Sequence, residues 1–558
     1  MMISTVEGCG SVKSGCISNV QNGLATNNGT QCGYCTPGWI MNMTAAVAQK
    51  GPKPGTKAEI EALFDGNLCR CTGYRPILYG FKKEFASDWD VAVDERGCMV
   101  CDVDPAEKVN SVAPVDIVFP DELKRAPRAV RFERDGYVWC RPSTLAGVTG
   151  LLREYTDRSD VRLVGGNTST GVYPRSVENP HVFIDIAHLP ELCDLRMDGG
   201  ALHIGGAVSY ADLLEFLDVL IPEMKSTGDP ATVGLAALQY MARRTAGTIV
   251  RNAATLAGNT MMVVRHCVQG VPFPSDCYTA MGTLGATLTI STPQHREPQK
   301  IDLLELPEHW QRSRDMQDGC VVLRYELRMT GKDEFAQTYK TALREVNAHS
   351  IVNGGFRVRL DADHCVADAI VVLGGIAPSA MRMRQTETTM RGRRWDSSLL
   401  ATALTELGRE VGGLMERYAS RFAKLPDEGF SPEYKLQLAQ SFLYKFFIEV
   451  CEWRGLHVPR DVQSGGRRAL RPVSKGTQAY VDYPDEYPVN IPYVKIESFL
   501  QSTGEAQYTQ DIALPQTGFN GAPVQSTVAK GTAIYSVPDV SGPATPQEVL
   551  VALKKRYP

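Results

Sequence analysis

Apolar positions recur with a helical period near the start of the chain. Across residues 37–49 the side chains Ile40, Met41, Ala45, Val47 and Ala48 share one helix face. A second helix is predicted over 57–64, ahead of the turn-forming Asp65-Gly66-Asn67. The pattern breaks over 91–129, where periodicity is weak and Pro105, Pro114, Pro120 and Pro127 recur, so this stretch reads as a linker. From Val138 the texture changes. Short apolar runs at 161–164, 182–186 and 201–206, bounded by Gly and Pro, predict buried strands, and 145–155 has a helical period. Strands over 356–360 and 369–373 and helices over 399–415 and 434–453 continue this mixed α+β texture. Residues 453–492 are again polar and proline-bearing, a second linker. No internal repeat or low-complexity tract interrupts the series.

A chain of 558 residues has room for three to five domains. Its formal charge of −4 gives no long-range attraction to nucleic acid or to an anionic membrane, so neither is expected as a partner. No run approaches the roughly 18 apolar residues of a membrane span, and the first residues lack a basic and then apolar leader. The 15 cysteines are odd in number and mostly scattered. That pattern favours reduced thiols over disulfides and predicts a cytoplasmic protein.

Two close cysteine pairs carry the sharpest chemistry: Cys32-x2-Cys35 and, after a helical hairpin's length, Cys69-x-Cys71. Four thiolates from two pairs suit a [2Fe–2S] cluster, which takes two on each iron. Zinc also accepts four thiolates, and buried structural thiols are the third reading. Gly33 would let the backbone bend around a cluster. Thr36-Pro37 starts a helix whose N-terminus would stabilise negative charge. The single intervening residue of the second pair is unusual for zinc folds. Cys98-x2-Cys101 lies in the first linker without a second pair and reads as structural or incidental.

Leu163-Val164-Gly165-Gly166-Asn167-Thr168-Ser169-Thr170-Gly171 follows a strand, and its amides could cradle a pyrophosphate. The spacing is neither that of the classical dinucleotide fingerprint nor that of a Walker loop, and a simple turn is the plainer reading. A second such cluster runs from Arg251 to Asn259.

Taken together these motifs resemble the molybdenum hydroxylases of the xanthine dehydrogenase and aldehyde oxidase family. Gln31-Cys32-Gly33-Tyr34-Cys35-Thr36-Pro37-Gly38 and Gly66-Asn67-Leu68-Cys69-Arg70-Cys71-Thr72-Gly73-Tyr74-Arg75-Pro76-Ile77 look like that family's second [2Fe–2S] domain. Trp139-Cys140-Arg141-Pro142 looks like the opening of its FAD domain. The resemblance implies a multidomain α+β chain. A small all-α [2Fe–2S] helical bundle over 1–90 precedes a vanillyl-alcohol-oxidase-type (PCMH) α+β FAD-binding domain over 130–330. An α+β flavoprotein C-terminal domain follows over 334–452. Residues 493–558, with Ser502-Thr503-Gly504-Glu505, resemble a truncated start of the molybdopterin domain. The family's plant-ferredoxin-like first domain is expected to be missing, and Cys9 and Cys16 do not replace its ligands.

The resemblance also implies site roles. Cys32, Cys35, Cys69 and Cys71 would ligate the cluster, and Gln31 would face a pterin. Leu163, Val164, Gly165, Gly166, Asn167, Thr168, Ser169 and Thr170 would line the flavin pyrophosphate and ribityl side, with Thr255 and Asn259 on a second loop. Asp276 would hold the ribityl chain, Val322 would give a backbone contact, and Lys340 would face the pyrimidine edge. From the residues alone, Asp276 reads equally as a helix cap and Lys340 as a solvated strand residue. Residues 263–274 are extra to the family spacing, and 308–318 replaces the nicotinamide-facing loop, which puts NAD use in doubt. The implied function is an oxidoreductase portion passing electrons through [2Fe–2S] to FAD and on to O2 or NAD+. No catalytic residue of the hydroxylase reaction is expected in this chain, and molybdopterin enters only if its domain is supplied. A homodimer or that missing domain is the expected partner. The alternatives are a non-catalytic truncated product acting in assembly or dimerisation, and a stand-alone flavoprotein reductase.

Overall fold

The computed structural model describes residues 2–94, 111–124, 128–155, 160–172, 180–295, 297–422, 430–468, 471–475 and 493–515, with short stretches over 481–490 and a few positions beyond 516. Cys98 and Cys101 lie outside the described residues. Contacts divide the chain into a large compact unit, Met1–Glu505, and a second unit, Ala506–Pro558.

The N-terminal part is helical. Asn19–Thr26, Thr36–Lys50, Lys57–Leu63 and Arg75–Phe85 surround Trp39, Ile40, Met43, Phe64 and Phe81. Ser18 and Thr56 start their helices with reciprocal capping boxes, Ser18 with Gln21 and Thr56 with Glu59. Phe64 stacks on Phe81 at 5.1 Å, which joins the turn before Cys69 to the last helix. Part of the expected first linker returns to this bundle: Ser111–Ala113 pairs in parallel with Cys16–Ser18.

Two sheets follow. Val130–Arg134, Tyr137–Arg141, Val182–Asp185 and Val161–Val164 lie side by side in that order, all but the first pair parallel. A five-stranded antiparallel sheet is ordered Gln299–Asp302, Thr287–Ser291, Val321–Arg328, Ala201–Gly205, Leu195–Asp198. Its core is shared with the helices Tyr210–Ser226, Ala231–Arg243 and Asp276–Thr283. The expected helix over 145–155 forms as Leu145–Glu154.

The last layer is an antiparallel sheet of Glu334–Ala342, Ser350–Leu360, Val366–Gly374 and Met381–Arg382. Ser350–Leu360 is buried along nearly its whole length, Arg359 excepted, because helices cover both faces. Pro432–Arg454 packs Phe446 on Phe356 at 5.3 Å from one side. On the other side Thr338 donates to the Ala237 carbonyl of the flanking helix.

The polar segment before residue 505 folds back over the N-terminal helices. Ser474 meets Glu61 and Lys82, and the helix Ser498–Thr503 packs on Asn19–Thr26. The compact unit therefore ends at Glu505, twelve residues past the start expected for a separate segment at 493. The cause is apolar and ionic: Phe499 is buried against Ile17 and Ala25, and Glu505 is bonded to the loop at Ser11.

Candidate functional site

The cysteine pole is built by two left-handed turns and two helix starts. Gly33, between the first pair, has φ 80°, as the need for a tight bend predicts. Cys35 is the cap of Thr36–Lys50, so that helix presents its N-terminus beside the thiols. On the other side Gly73 and Tyr74 both take positive φ before Arg75–Phe85. The Tyr74 hydroxyl accepts from the Cys69 amide at 3.3 Å. Thr72 approaches the Cys69 sulfur with its hydroxyl at 3.0 Å and its amide at 3.5 Å.

The four thiols meet as two pairs, Cys35 with Cys69 and Cys32 with Cys71. Among the described residues no three His, Cys, Asp or Glu side chains close into a single-ion cage. Two separated pairs fit a two-iron cluster, which offers two sites to each iron, better than one tetrahedral zinc. Burial, the bond to Cys69 and the neighbouring sulfur charges push Cys35 up to about 12. Burial would also raise Cys69, but its bonds from Thr72 and the Cys71 amide outweigh it and hold that thiol below its ordinary value. Gln31 is exposed, and its backbone carbonyl accepts from Lys495 and Gln501.

The second site is a cleft of about 390 Å³, within the range of small-molecule sites. Leu163, Gly165, Gly166, Asn167, Thr168 and Ser169 form one wall, with Thr255, Asn259 and Asp276 opposite. Asn167 has φ 52°, and its side chain accepts from Thr170 at 2.6 Å. Thr170 thus staples the loop from outside the cleft. Thr255 caps Leu256–Gln269 by accepting from the Gly258 amide at 3.0 Å, so a helix N-terminus faces the first loop. An amide-rich turn opposite a helix N-terminus is a site suited to phosphate.

Asp276 does not cap its helix; Ser275 does, accepting from the Tyr278 amide. The Asp276 carboxylate takes bonds from Lys340 at 2.6 Å, Ser350 at 2.5 Å and Asn353 at 2.9 Å. Lys340 is not solvated: its side chain is 2% exposed and also donates to the Arg244 and Ala348 carbonyls. Val164, Val322 and Lys340 stand behind the cleft wall rather than on it.

Several wall residues were not expected from the sequence. Arg265 and Phe273 come from the extra stretch 263–274, whose unusual length was the available signal. Tyr210 and His349 had no signal of their own. Arg251, inside the second glycine cluster, is the most connected. One guanidinium nitrogen donates to the carbonyls of Arg243, Thr245 and Ala246, and the other to Thr248 and, at 2.5 Å, to the Asp65 carboxylate. Asp65 also accepts from the Thr248 amide at 2.6 Å, and its carbonyl accepts from Asn347. Residue 65 lies four positions before Cys69, so this node joins the thiol pole to the cleft wall. Residues 308–318 form short helices, Leu306–Arg312 and Arg314–Gln317, anchored by buried Leu306 and Met316.

Three families match in order along the chain. Residues 5–82 match the [2Fe-2S] binding domain, 130–323 the FAD binding domain in molybdopterin dehydrogenase, and 337–450 the CO dehydrogenase flavoprotein C-terminal domain. Xanthine dehydrogenase of Oryza sativa subsp. japonica is 29% identical over 95% of this chain and 40% of its own length. Aldehyde oxidase 4 of Mus musculus is 30% identical over 91% of this chain and 39% of its own. The chain thus spans about two fifths of the curated relatives it matches. A solved carbon monoxide dehydrogenase from Hydrogenophaga pseudoflava covers 57% of this chain and 96% of its own, at 16% identity and a TM-score of 0.43.

Proposed function

Because the chain is a homologue of the xanthine dehydrogenases and aldehyde oxidases and carries iron–sulfur and FAD-binding domains, we propose that it is the electron-transfer portion of a molybdenum hydroxylase. In this reading electrons from a molybdenum centre on another segment or chain pass to the thiol pole, then to the cleft, then to O2 or NAD+. The cluster supplies one-electron transfer and FAD the exchange with the final acceptor. The protein's own work is holding and tuning. Cys32, Cys35, Cys69 and Cys71 bind the two irons. The turn from Gly165 to Ser169 and the N-terminus of Leu256–Gln269 bind the pyrophosphate. Asp276 orients the ribityl chain, and Lys340 acts through Asp276 by fixing its carboxylate. The short helices at 308–318 offer no extended loop for a nicotinamide, which favours O2 as acceptor. The exposed Gln31 side chain faces a pterin only in a complex with the molybdopterin domain.

The observation that carries the proposal is the Asp65–Arg251 node, which holds a cysteine pole and a flavin-sized cleft in one compact unit. The test is cofactor content after anaerobic purification with iron, sulfide and FAD supplied. Two irons, two sulfides and one FAD per chain are expected, with an EPR signal on reduction that Cys69→Ser abolishes. Stoichiometric zinc without sulfide, or a chain that stays colourless, would sink the reading.

A further inference from the structure

We propose that the Tyr210 hydroxyl donates a hydrogen bond to the flavin nucleotide held in the cleft; this rests on the flavin reading of that cleft. Tyr210 opens the helix Tyr210–Ser226, directly after the cap Ser209. Its amide donates to the Ala254 carbonyl at 3.1 Å, and Ser209 bridges to Thr255, which ties its position to the second loop. The ring stands on the cleft wall beside Thr245 and Asp276 and is 1% exposed.

Its oxygen has no hydrogen-bond partner, and among the described residues it is the one such buried orphan on the cleft wall. The neighbouring Cys277 thiol lies beyond hydrogen-bond distance. Two other fully buried tyrosines make the contrast. Tyr278 donates to the Leu303 carbonyl at 2.6 Å, and Tyr325 to the Thr260 hydroxyl at 2.8 Å. A buried polar group without a partner is costly, so an orphan facing a cavity is accounted for by a ligand that completes it. Burial holds the phenol well above its ordinary range, which keeps the proton to be donated. Lys340, the other nearby donor, cannot serve: all three of its ammonium hydrogens face Asp276, Arg244 and Ala348. Tyr210 therefore supplies the direct donor that the cation behind Asp276 does not.

The full chain carrying Tyr210→Phe tests this, with Tyr278→Phe as comparison. FAD affinity is read by fluorescence titration and the stability of the flavin-free protein by its melting temperature. Tyr210→Phe is expected to bind FAD about three- to tenfold more weakly, the effect of one hydrogen bond. Its flavin-free form should melt at or above the wild-type temperature, because the substitution removes an unsatisfied group. Tyr278→Phe should show the reverse, a lower melting temperature with unchanged FAD affinity. Wild-type FAD affinity in Tyr210→Phe overturns the proposal and leaves the flavin reading standing. A flavin-free Tyr210→Phe protein that melts lower or fails to fold makes the phenol structural and also overturns it. A wild-type chain that takes up no FAD overturns both.

Discussion

A Cβ built on Gly166 would lie 1.7 Å from the Ala253 carbonyl oxygen. The glycine is thus required by the approach of the two cleft loops to each other, before any ligand arrives. Gly166→Val must push these loops apart, at a cost of about 2 kcal/mol for overpacking. The expected outcome is a lower melting temperature together with loss of FAD uptake, read by calorimetry and flavin absorbance. Normal FAD binding in this variant would show that the loops need not touch. Asp276 illustrates the same scale from the polar side. A carboxylate held by an ammonium, a hydroxyl and an amide is fixed in orientation, which a ligand-binding oxygen needs.

Among elements, the strand Glu334–Ala342 is anchored by a buried ion pair to its neighbour. Glu334 meets Arg357 at 2.7 Å, and both side chains are almost fully covered. Burial alone would raise the Glu334 carboxyl, but the Gly331 amide and the Arg357 and Arg328 guanidiniums outweigh it and hold it below the ordinary value. A depressed folded-state value means the contribution is present above about pH 4.3, the unfolded value, and is lost as pH falls through the folded one. Glu334→Gln should therefore cost about 3 kcal/mol near neutrality. In thermal melts the gap between variant and wild type should narrow below about pH 4; a gap constant across pH would count against the ion pair as its origin. These elements were largely legible in the sequence. The periodicities over 145–155, 399–415 and 434–453 became Leu145–Glu154, Ser397–Phe422 and Pro432–Arg454, because each buries one apolar face. Of the cleft, the glycine-rich turns could be read, since only glycine and asparagine suit such backbone. Tyr210, Arg251 and Lys340 could not be placed. Their positions depend on which strand or loop lies across from them, and local spacing holds no record of that.

On the scale of the whole molecule, Asp65 is the contact through which the helical bundle meets the flavin domain. Its carboxylate and the Arg251 guanidinium are both about one-tenth exposed, so removing one charge strands the other. Asp65→Asn should cost about 3 kcal/mol. Calorimetry is expected to resolve the bundle as a separate, earlier transition, with weaker FAD binding because Arg251 lines the cleft. One cooperative transition at the wild-type temperature would mean that apolar packing alone joins the two parts. The fold-back at Glu505 has a consequence in time. Its carboxylate is bonded to Thr503, to the Ser11 hydroxyl and to the Val12 and Lys13 amides, across 493 residues from Val12. At roughly 5–20 residues per second a ribosome needs about 25–100 s to cover that span. The helices bearing Cys32, Cys35, Cys69 and Cys71 close their own core by Ala86, long before that carboxylate is made. During translation the thiol pole therefore stands folded and uncovered for most of a minute or more, an interval in which metal and sulfide can be delivered before the returning chain seals the loop.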